Sequence, residues 1–191
     1  MAESNSNVMK SPFSHMVIRN LNMQLLATLI TFIPFLLSVA FLTLEASALV
    51  TSLVGCIIYF VLIYNMNWAT AERDRNLVLY GHMPEDKQRG LRAGIYAVIP
   101  LAVLTLVLIV FSYAGALPAW YQVLYKVLFL PFVVVTNWVI TGTPLVFAGI
   151  LVCALCPLAA WLGYHNGYNL IQIMPKVLYK QKPRPKDKRM R

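Results

Sequence analysis

The chain has 191 residues, of which 59% are hydrophobic and 12% are charged, whereas about 25% of residues are charged in an ordinary soluble domain. This composition excludes a typical soluble protein and indicates an integral membrane protein. The formal net charge is +9, but eight of the 16 basic residues lie between Pro175 and Arg191, so a basic tail beside a membrane explains the charge better than a nucleic-acid surface.

Two apolar segments follow a polar leader, residues 1–20. The run Leu21–Leu44 carries no charge and is long enough to cross about 30 Å of hydrocarbon as a helix. A second run, Ala48–Trp68, follows, so we expect a tight turn at Glu45–Ala48. The sequence Ala-Ser-Ala in this turn also resembles a signal-peptidase site, but the preceding apolar run is about twice as long as a signal-peptide core. We therefore predict two antiparallel spans.

Two later segments, Gly94–Tyr113 and Thr143–Leu162, also predict spans. The segment between them, Trp120–Ile140, is apolar enough to span, but its interior holds a lysine, a proline and an asparagine. Four spans and five spans therefore remain alternatives on hydropathy alone.

The basic residues favour four spans. Short loops rich in Lys and Arg stay in the cytoplasm, and basic residues concentrate in the leader, in the loop at 68–93 and in the tail at 175–191. Four spans place all three segments in the cytoplasm, whereas five export the tail. We predict an all-α integral membrane protein with four transmembrane helices in one domain, residues 21–174, and both termini cytoplasmic. Five transmembrane helices are the alternative.

With four spans, Trp120–Ile140 becomes a re-entrant or interfacial segment on the outer side of the membrane. Aromatic side chains are enriched at the headgroup level. We expect four of them to lie there: Trp120, Tyr121, Tyr125 and Trp138.

The loop Trp68–Gly94 holds nine charged residues, five basic and four acidic. No residue before Gly81 breaks a helix, so we expect the second span to continue beyond the bilayer and to end with Gly81 as a C-terminal cap. Pro84 is suited to the first turn of a new helix that runs into the third span. The loop is thus predicted to be a helical hairpin.

Antiparallel pairing about Gly81 brings Glu72 and Asp74 toward Arg89 and Arg92. The nearly balanced charges favour pairing within the hairpin over an exposed binding patch. Glu85 and Arg89 are also spaced i, i+4. The candidate residues for hairpin packing or for docking a partner are Glu72, Asp74, Asn76, Gly81, Arg89 and Arg92. Gly90 and Gly94 form a small-residue face that another helix can approach closely.

Groups that carry chemistry are scarce in the expected spans. No ionisable Asp, Glu, Lys, Arg or His lies near their middle, which disfavours ion-coupled transport. Cys153 and Cys156 have the spacing of a redox pair, but Cys56 is the only other cysteine. Thiols in an apolar helix are commonly inert packing residues. We therefore predict no catalytic residue and no cofactor.

Polar residues near the span ends have plainer explanations. An interhelical hydrogen bond accounts for residues such as Gln24 and Asn67. Where the last span leaves the bilayer, Tyr164, His165, Tyr168 and Asn169 either line a polar pocket or form an aromatic belt at the interface. A metal site among the acidic residues of the hairpin is opposed by the neighbouring arginines.

The basic tail has little to bury and is expected to be disordered. A polybasic segment next to a span attracts anionic lipid by about 1 kcal/mol per charge. The residues predicted to contact anionic lipid are Lys176, Lys180, Lys182, Arg184, Lys186, Lys188, Arg189 and Arg191. RNA or an acidic protein is the second interpretation of this tail.

The patterns RDRNLVLYG, EDKQRGLRAG and GYNLI...LYK resemble a group of small bacterial multi-pass membrane proteins with no known activity. The resemblance implies a bacterial cytoplasmic membrane. We expect a non-enzymatic accessory or scaffold subunit that docks another protein or a second copy through the hairpin. The alternatives are a transporter or channel for a small or lipophilic solute, and a thiol redox enzyme that uses Cys153 and Cys156.

Overall fold

The computed structural model describes residues 13–116, 118–140 and 146–171. Within these ranges the chain is 87% helix and has no strand. The elements are α1 (Phe13–Phe41), α2 (Leu44–Leu79), α3 (Arg89–Tyr113), α4 (Ala119–Leu128), a 3₁₀ turn (Leu130–Phe132), α5 (Val133–Ile140) and α6 (Val146–Tyr168). The eight basic residues predicted to contact lipid, from Lys176 to Arg191, lie outside the described residues.

Three helices, α1, α2 and α3, are each long and apolar enough to cross a membrane. The bent pair formed by α4 and Leu130–Asn137 passes the same test as a unit, with an angle of 89° between its halves. The described residues thus provide three candidate spans, or up to four if the bent pair is one span. The predicted all-helical fold is confirmed, and the count of four transmembrane helices stays a prediction.

Helix α6 packs against both α2 and α3. It makes its most extensive contacts with α2 and α3, while α1 packs mainly on α2. The 3₁₀ turn packs against α2, where Gly55 leaves room for it: a Cβ on Gly55 would lie 2.7 Å from the Cα of Pro131. The bend between α4 and α5 therefore rests directly on the backbone of α2.

The bundle buries polar side chains and exposes apolar ones. The buried residues of α1 recur every three or four positions, and most are polar: Met16, Asn20, Gln24, Ala27, Thr28, Thr31 and Ser38. On the opposite face, Leu29 is 67% exposed and Ile33 is 61% exposed. This distribution is expected where lipid is the solvent, because polar groups must then find partners inside the protein.

The turn between α1 and α2 lies earlier than predicted. Helix α1 ends at Phe41 and α2 begins at Leu44, so Glu45–Ala48 form the first turn of α2 instead of the connection. Alanine favours a helix, and an acidic side chain is stabilised near a helix N-terminus. These preferences explain why the residues expected to turn are helical.

Helix α2 extends past its apolar part and ends as predicted. Gly81 has a φ of +72°. Its N–H donates to the carbonyl of Val78 at 3.0 Å, and the N–H of His82 donates to the carbonyl of Leu77 at 2.9 Å. This is the Schellman arrangement that ends a helix at a glycine, so the prediction of a C-terminal cap at Gly81 is confirmed.

Helix α3 begins later than predicted. The expected helix from Pro84 is not formed, because α3 begins at Arg89. The Asp86 carboxylate accepts a hydrogen bond from the N–H of Gln88 at 3.1 Å, a local bond with which Asp favours a turn over a helix. The i, i+4 pairing predicted for Glu85 therefore loses its helical geometry, and Glu85 lies 3.3 Å from Lys87.

The aromatic residues around α4 differ in how far the protein buries them. Trp120 is 67% exposed, as a headgroup-level residue would be, and the Trp138 side chain lies outside the described residues. Tyr121 and Tyr125 are buried within the protein, and the headgroup level expected for these residues stays a prediction. Their hydroxyls reach α3, where the Tyr121 hydroxyl donates to a carbonyl at 2.8 Å and the Tyr125 hydroxyl lies 3.2 Å from that of Thr105. A buried phenol needs such a partner.

Candidate functional site

A buried ion pair joins α2 to α3, and a tyrosine of α6 donates a hydrogen bond to it. Arg89 Nη1 lies 2.9 Å from Asp74 Oδ2, and the two side chains are 9% and 1% exposed. The Tyr164 hydroxyl donates to the same carboxylate oxygen at 3.1 Å. Asp74 belongs to α2, Arg89 to α3 and Tyr164 to α6, so three helices are connected at one point. We call these three side chains the brace.

The brace is unusual because charge is buried in it. Asp74 and Arg89 are the buried charged residues of the described part of the chain. Burying two ions costs several kcal/mol each, and good geometry with further hydrogen bonds must offset that cost. Arg89 Nη1 also lies 3.0 Å from the Met83 sulfur, while Asp74 Oδ1 has no hydrogen-bond partner within the described ranges. The pair therefore fixes the base of the hairpin and is inaccessible to an outside partner.

Glycines on α3 bring the brace helices close together. A Cβ on Gly90 would overlap the Cβ of Tyr164, and a Cβ on Gly94 would lie 2.6 Å from the Cα of Pro157. The predicted small-residue face thus receives a helix of the same chain, α6. Gly90 contacts Tyr164, whose hydroxyl binds Asp74, so this close packing also sets the position of the Tyr164 hydroxyl.

Glycines on α6 make the equivalent contact with α2. A Cβ on Gly163 would overlap the carbonyl oxygen of Tyr64, and one on Gly167 would overlap that of Trp68. Small residues at such positions let helix backbones approach closely in membrane proteins. Helix α6 is therefore held tightly on two sides, and these two glycines were not singled out by the sequence analysis.

The other predicted hairpin residues are more accessible. Asn76, Gly81 and Arg92 are exposed, and Glu72 is half-buried. Arg92 lies 3.4 Å from Asp86, in a pair whose side chains are 57% and 34% exposed. The predicted set thus divides in two: Asp74 and Arg89 pack inside, while these four face outward or lie at the edge.

The tip of α2 exposes two large side chains that the sequence analysis did not single out. Leu79 is 68% exposed and Tyr80 is 77% exposed. Arg73, also exposed, lies seven residues before Tyr80 and hence on the same face of the helix. Aromatic and arginine side chains dominate the binding energy of many protein interfaces. We call Arg73, Leu79 and Tyr80 the tip surface.

A polar groove lies beside the hairpin at the end of α6. It is lined by Lys87, Tyr164, His165, Tyr168 and Asn169, so these residues of α6 line a pocket, which was one of the two alternatives for them. The His165 ring stacks on that of Trp161, with 5.8 Å between ring centroids. Tyr164 belongs to both the groove and the brace, which places the groove next to the buried ion pair.

Interhelical hydrogen bonds hold the apolar part of the bundle together, as expected for its polar residues. Asn67 donates to the Asn20 side-chain oxygen at 2.7 Å. The Gln24 amide nitrogen donates to the sulfur of Cys156 at 3.0 Å and lies 3.4 Å from the carbonyl oxygen of Ala97. Gln24 therefore connects α1 to both α3 and α6.

The cysteines lie in this packed region. Cys153 and Cys156 are free and buried, and Cys56 is half-buried. The Cys153 sulfur lies 3.8 Å from the Thr105 hydroxyl. Among the described residues, no group of three or more His, Cys, Asp or Glu side chains is arranged to hold a metal ion.

No family model, curated protein or solved structure matches this chain. What the chain does must therefore be inferred from its own geometry, of which the brace, the tip surface and the interior around Gln24 are the most informative parts.

Proposed function

We propose a topology of four spans, α1, α2, α3 and α6, with the hairpin and both termini in the cytoplasm and the bent pair on the outer side. The 36 residues of α2 make a helix of about 54 Å, much longer than the hydrocarbon layer of about 30 Å. The part of α2 beyond Trp68 carries four charged residues, Glu72 to Arg75. The basic residues of the hairpin favour a cytoplasmic position.

Within this topology, the protein is a non-enzymatic accessory or scaffold subunit of a cell membrane. The observation that carries this proposal is that the hairpin is fixed at its base by the pair of Asp74 with Arg89 and exposes Tyr80 at its tip. A protruding element that is already rigid loses little conformational freedom when it binds. The tip surface is therefore the docking site, and the brace holds it in position.

Photo-crosslinking in native membranes tests the docking site. A photoreactive phenylalanine in place of Tyr80 is expected to form a discrete protein adduct, with a second copy or with another protein. The matched control carries the same group at Leu53, which is 67% exposed on the apolar part of α2 and should react with lipid. An absence of protein adducts at Tyr80, or an identical pattern at both positions, would contradict docking at the tip.

A second candidate function, passage of a small or lipophilic solute, is favoured by one observation. The bent pair places Phe129 and Pro131 in the wall of a small cavity, and broken helices of this kind line solute sites in membrane transporters. Solute equilibration across liposomes that contain the purified protein separates the two functions. A transporter accelerates it over empty liposomes, whereas a scaffold leaves the rate unchanged.

A further inference from the structure

Helix α2 keeps one face exposed along about its last four turns. Five side chains on this face are exposed, and at about 100° per residue they fall within an arc of about 80°. The face is about 22 Å long at 1.5 Å per residue. We call these residues the α2 stripe: Asn65, Ala69, Arg73, Asn76 and Tyr80. Since Arg73 and Tyr80 also belong to the tip surface, the stripe continues the tip surface toward the membrane.

The middle of the stripe is suited to close packing by another helix. Ala69 is small, and small residues let helix backbones approach closely. Asn65 and Asn76 lie three turns apart, and each amide offers both donors and an acceptor. Two asparagines within the chain already pair in this way, since Asn20 and Asn67 exchange hydrogen bonds of 2.7 and 3.4 Å. An asparagine of the stripe can therefore pair with the same residue of a second copy.

Opposite charges flank the stripe at one height. Glu72 and Arg73 are consecutive, so they lie about 100° apart around α2, on opposite sides of the middle of the stripe. Within the described ranges neither side chain takes part in an ion pair. A partner that places a base beside Glu72 and an acid beside Arg73 is therefore complementary to this edge.

A second copy of the chain presents these two charges in the required order. All copies of a membrane protein share one orientation, so two α2 helices that pair lie parallel, about a two-fold axis along the membrane normal. In such a pair, one flank of each helix meets the opposite flank of the other. Glu72 of each copy then lies beside Arg73 of the other, while the middle of the stripe lies near the axis.

We propose that the α2 stripe binds the α2 stripe of a second copy and forms a parallel homodimer. This inference rests on the proposed docking role of the tip surface and names its partner. Aromatic and arginine side chains dominate many interfaces, and the stripe supplies Tyr80 and Arg73 from both copies.

Cysteine crosslinking in isolated membranes tests the homodimer. In a full-length chain without its native cysteines, Ala69→Cys places a thiol near the axis, and mild oxidation should join two copies into a species of twice the chain mass. Arg92→Cys is the matched control, since Arg92 is exposed on the other arm of the hairpin, and it should stay monomeric. No dimer at Ala69→Cys, or an equal amount of dimer at both positions, would overturn the proposal.

Photo-crosslinking at Tyr80 separates this failure from the failure of docking itself. An adduct that contains another protein and no second copy would overturn the homodimer and support docking at the tip surface. An absence of protein adducts would overturn both proposals.

Exchange of the flanking charges tests the geometry of the pair. Glu72→Arg and Arg73→Glu each place like charges side by side twice, so each should lower the dimer fraction of Ala69→Cys roughly tenfold at low protein density. The double variant restores opposite charges and should recover the dimer fraction. An unchanged dimer fraction in both single variants, or no recovery in the double variant, would overturn the proposal.

Discussion

Loss of Arg89 should destabilise the protein far more than loss of another arginine of the hairpin. Arg89→Met keeps an apolar chain of similar length but leaves the carboxylate of Asp74, which is 1% exposed, without its cation. Removing one partner of a buried ion pair costs about 3–5 kcal/mol. At about 2–4 °C per kcal/mol for a chain of this size, the Tm should fall by roughly 6–20 °C.

Arg92→Met is the matched control for this experiment. The Arg92 side chain is 57% exposed and lies 3.4 Å from Asp86, and exposed pairs contribute only about 0–1 kcal/mol because solvent screens them. Tryptophan fluorescence during heating, in one detergent, measures both variants. A fall in Tm for Arg89→Met no larger than that for Arg92→Met would refute the reasoning.

The double variant Asp74→Leu with Arg89→Met tests the cause of the loss. It removes both charges, so no uncompensated ion stays buried, and it should recover a large part of the stability lost in Arg89→Met. If the effects of the two single variants simply add, buried charge is not the source of the destabilisation.

Three further variants test the brace, the packing of α6 on α2 and the end of α2. Tyr164→Phe removes a hydrogen bond to a charged group and should lower the free energy of unfolding by about 1.5–3 kcal/mol. The same thermal unfolding measures it, and an unchanged Tm would mean that the hydroxyl does not stabilise Asp74. Gly167→Ala places a methyl group against the carbonyl of Trp68 and should lower the free energy of unfolding by about 1–3 kcal/mol through overpacking. A Tm equal to that of the wild type would contradict this close packing. A Cβ at Gly81 would meet no atom within 4 Å, but this residue has a φ of +72°. Gly81→Ala should therefore lower the free energy of unfolding by about 1–2 kcal/mol through backbone strain, while crosslinking at Tyr80 is retained. Loss of that crosslinking would mean that Gly81 does more than end α2.

Features governed by local physics could be predicted from the sequence. The long apolar runs predicted helices, because backbone groups in lipid must be satisfied within each segment. The end of α2 at Gly81 followed from the ease with which glycine adopts positive φ. Pairing of Asp74 with Arg89 was expected because a hairpin brings its two arms together, and the two atoms lie 2.9 Å apart.

Features that depend on tertiary contacts could not be predicted in the same way. Tyr164 is 90 residues away from Asp74, and nothing near either residue indicates their contact. The sequence likewise does not indicate that the Tyr121 hydroxyl donates to a carbonyl of α3. The late start of α3 reflects competition between two weak local preferences. Proline favours a helix start at Pro84, whereas the Asp86 side chain favours a turn. The sequence alone does not show which of the two preferences is stronger.

Topology tests the central claim most directly. The experiment uses a chain without its native cysteines. One cysteine at a time is introduced at Tyr80 in the hairpin, at Ala116 after α3 or at Arg191. Each variant is then labelled with a membrane-impermeant thiol reagent in intact and in opened cells. Four spans with a cytoplasmic hairpin predict that Ala116→Cys reacts in intact cells, whereas Tyr80→Cys and Arg191→Cys react only after the cells are opened. Reaction of Arg191→Cys in intact cells would contradict the four-span account, and reaction of Tyr80→Cys there would contradict a cytoplasmic docking hairpin.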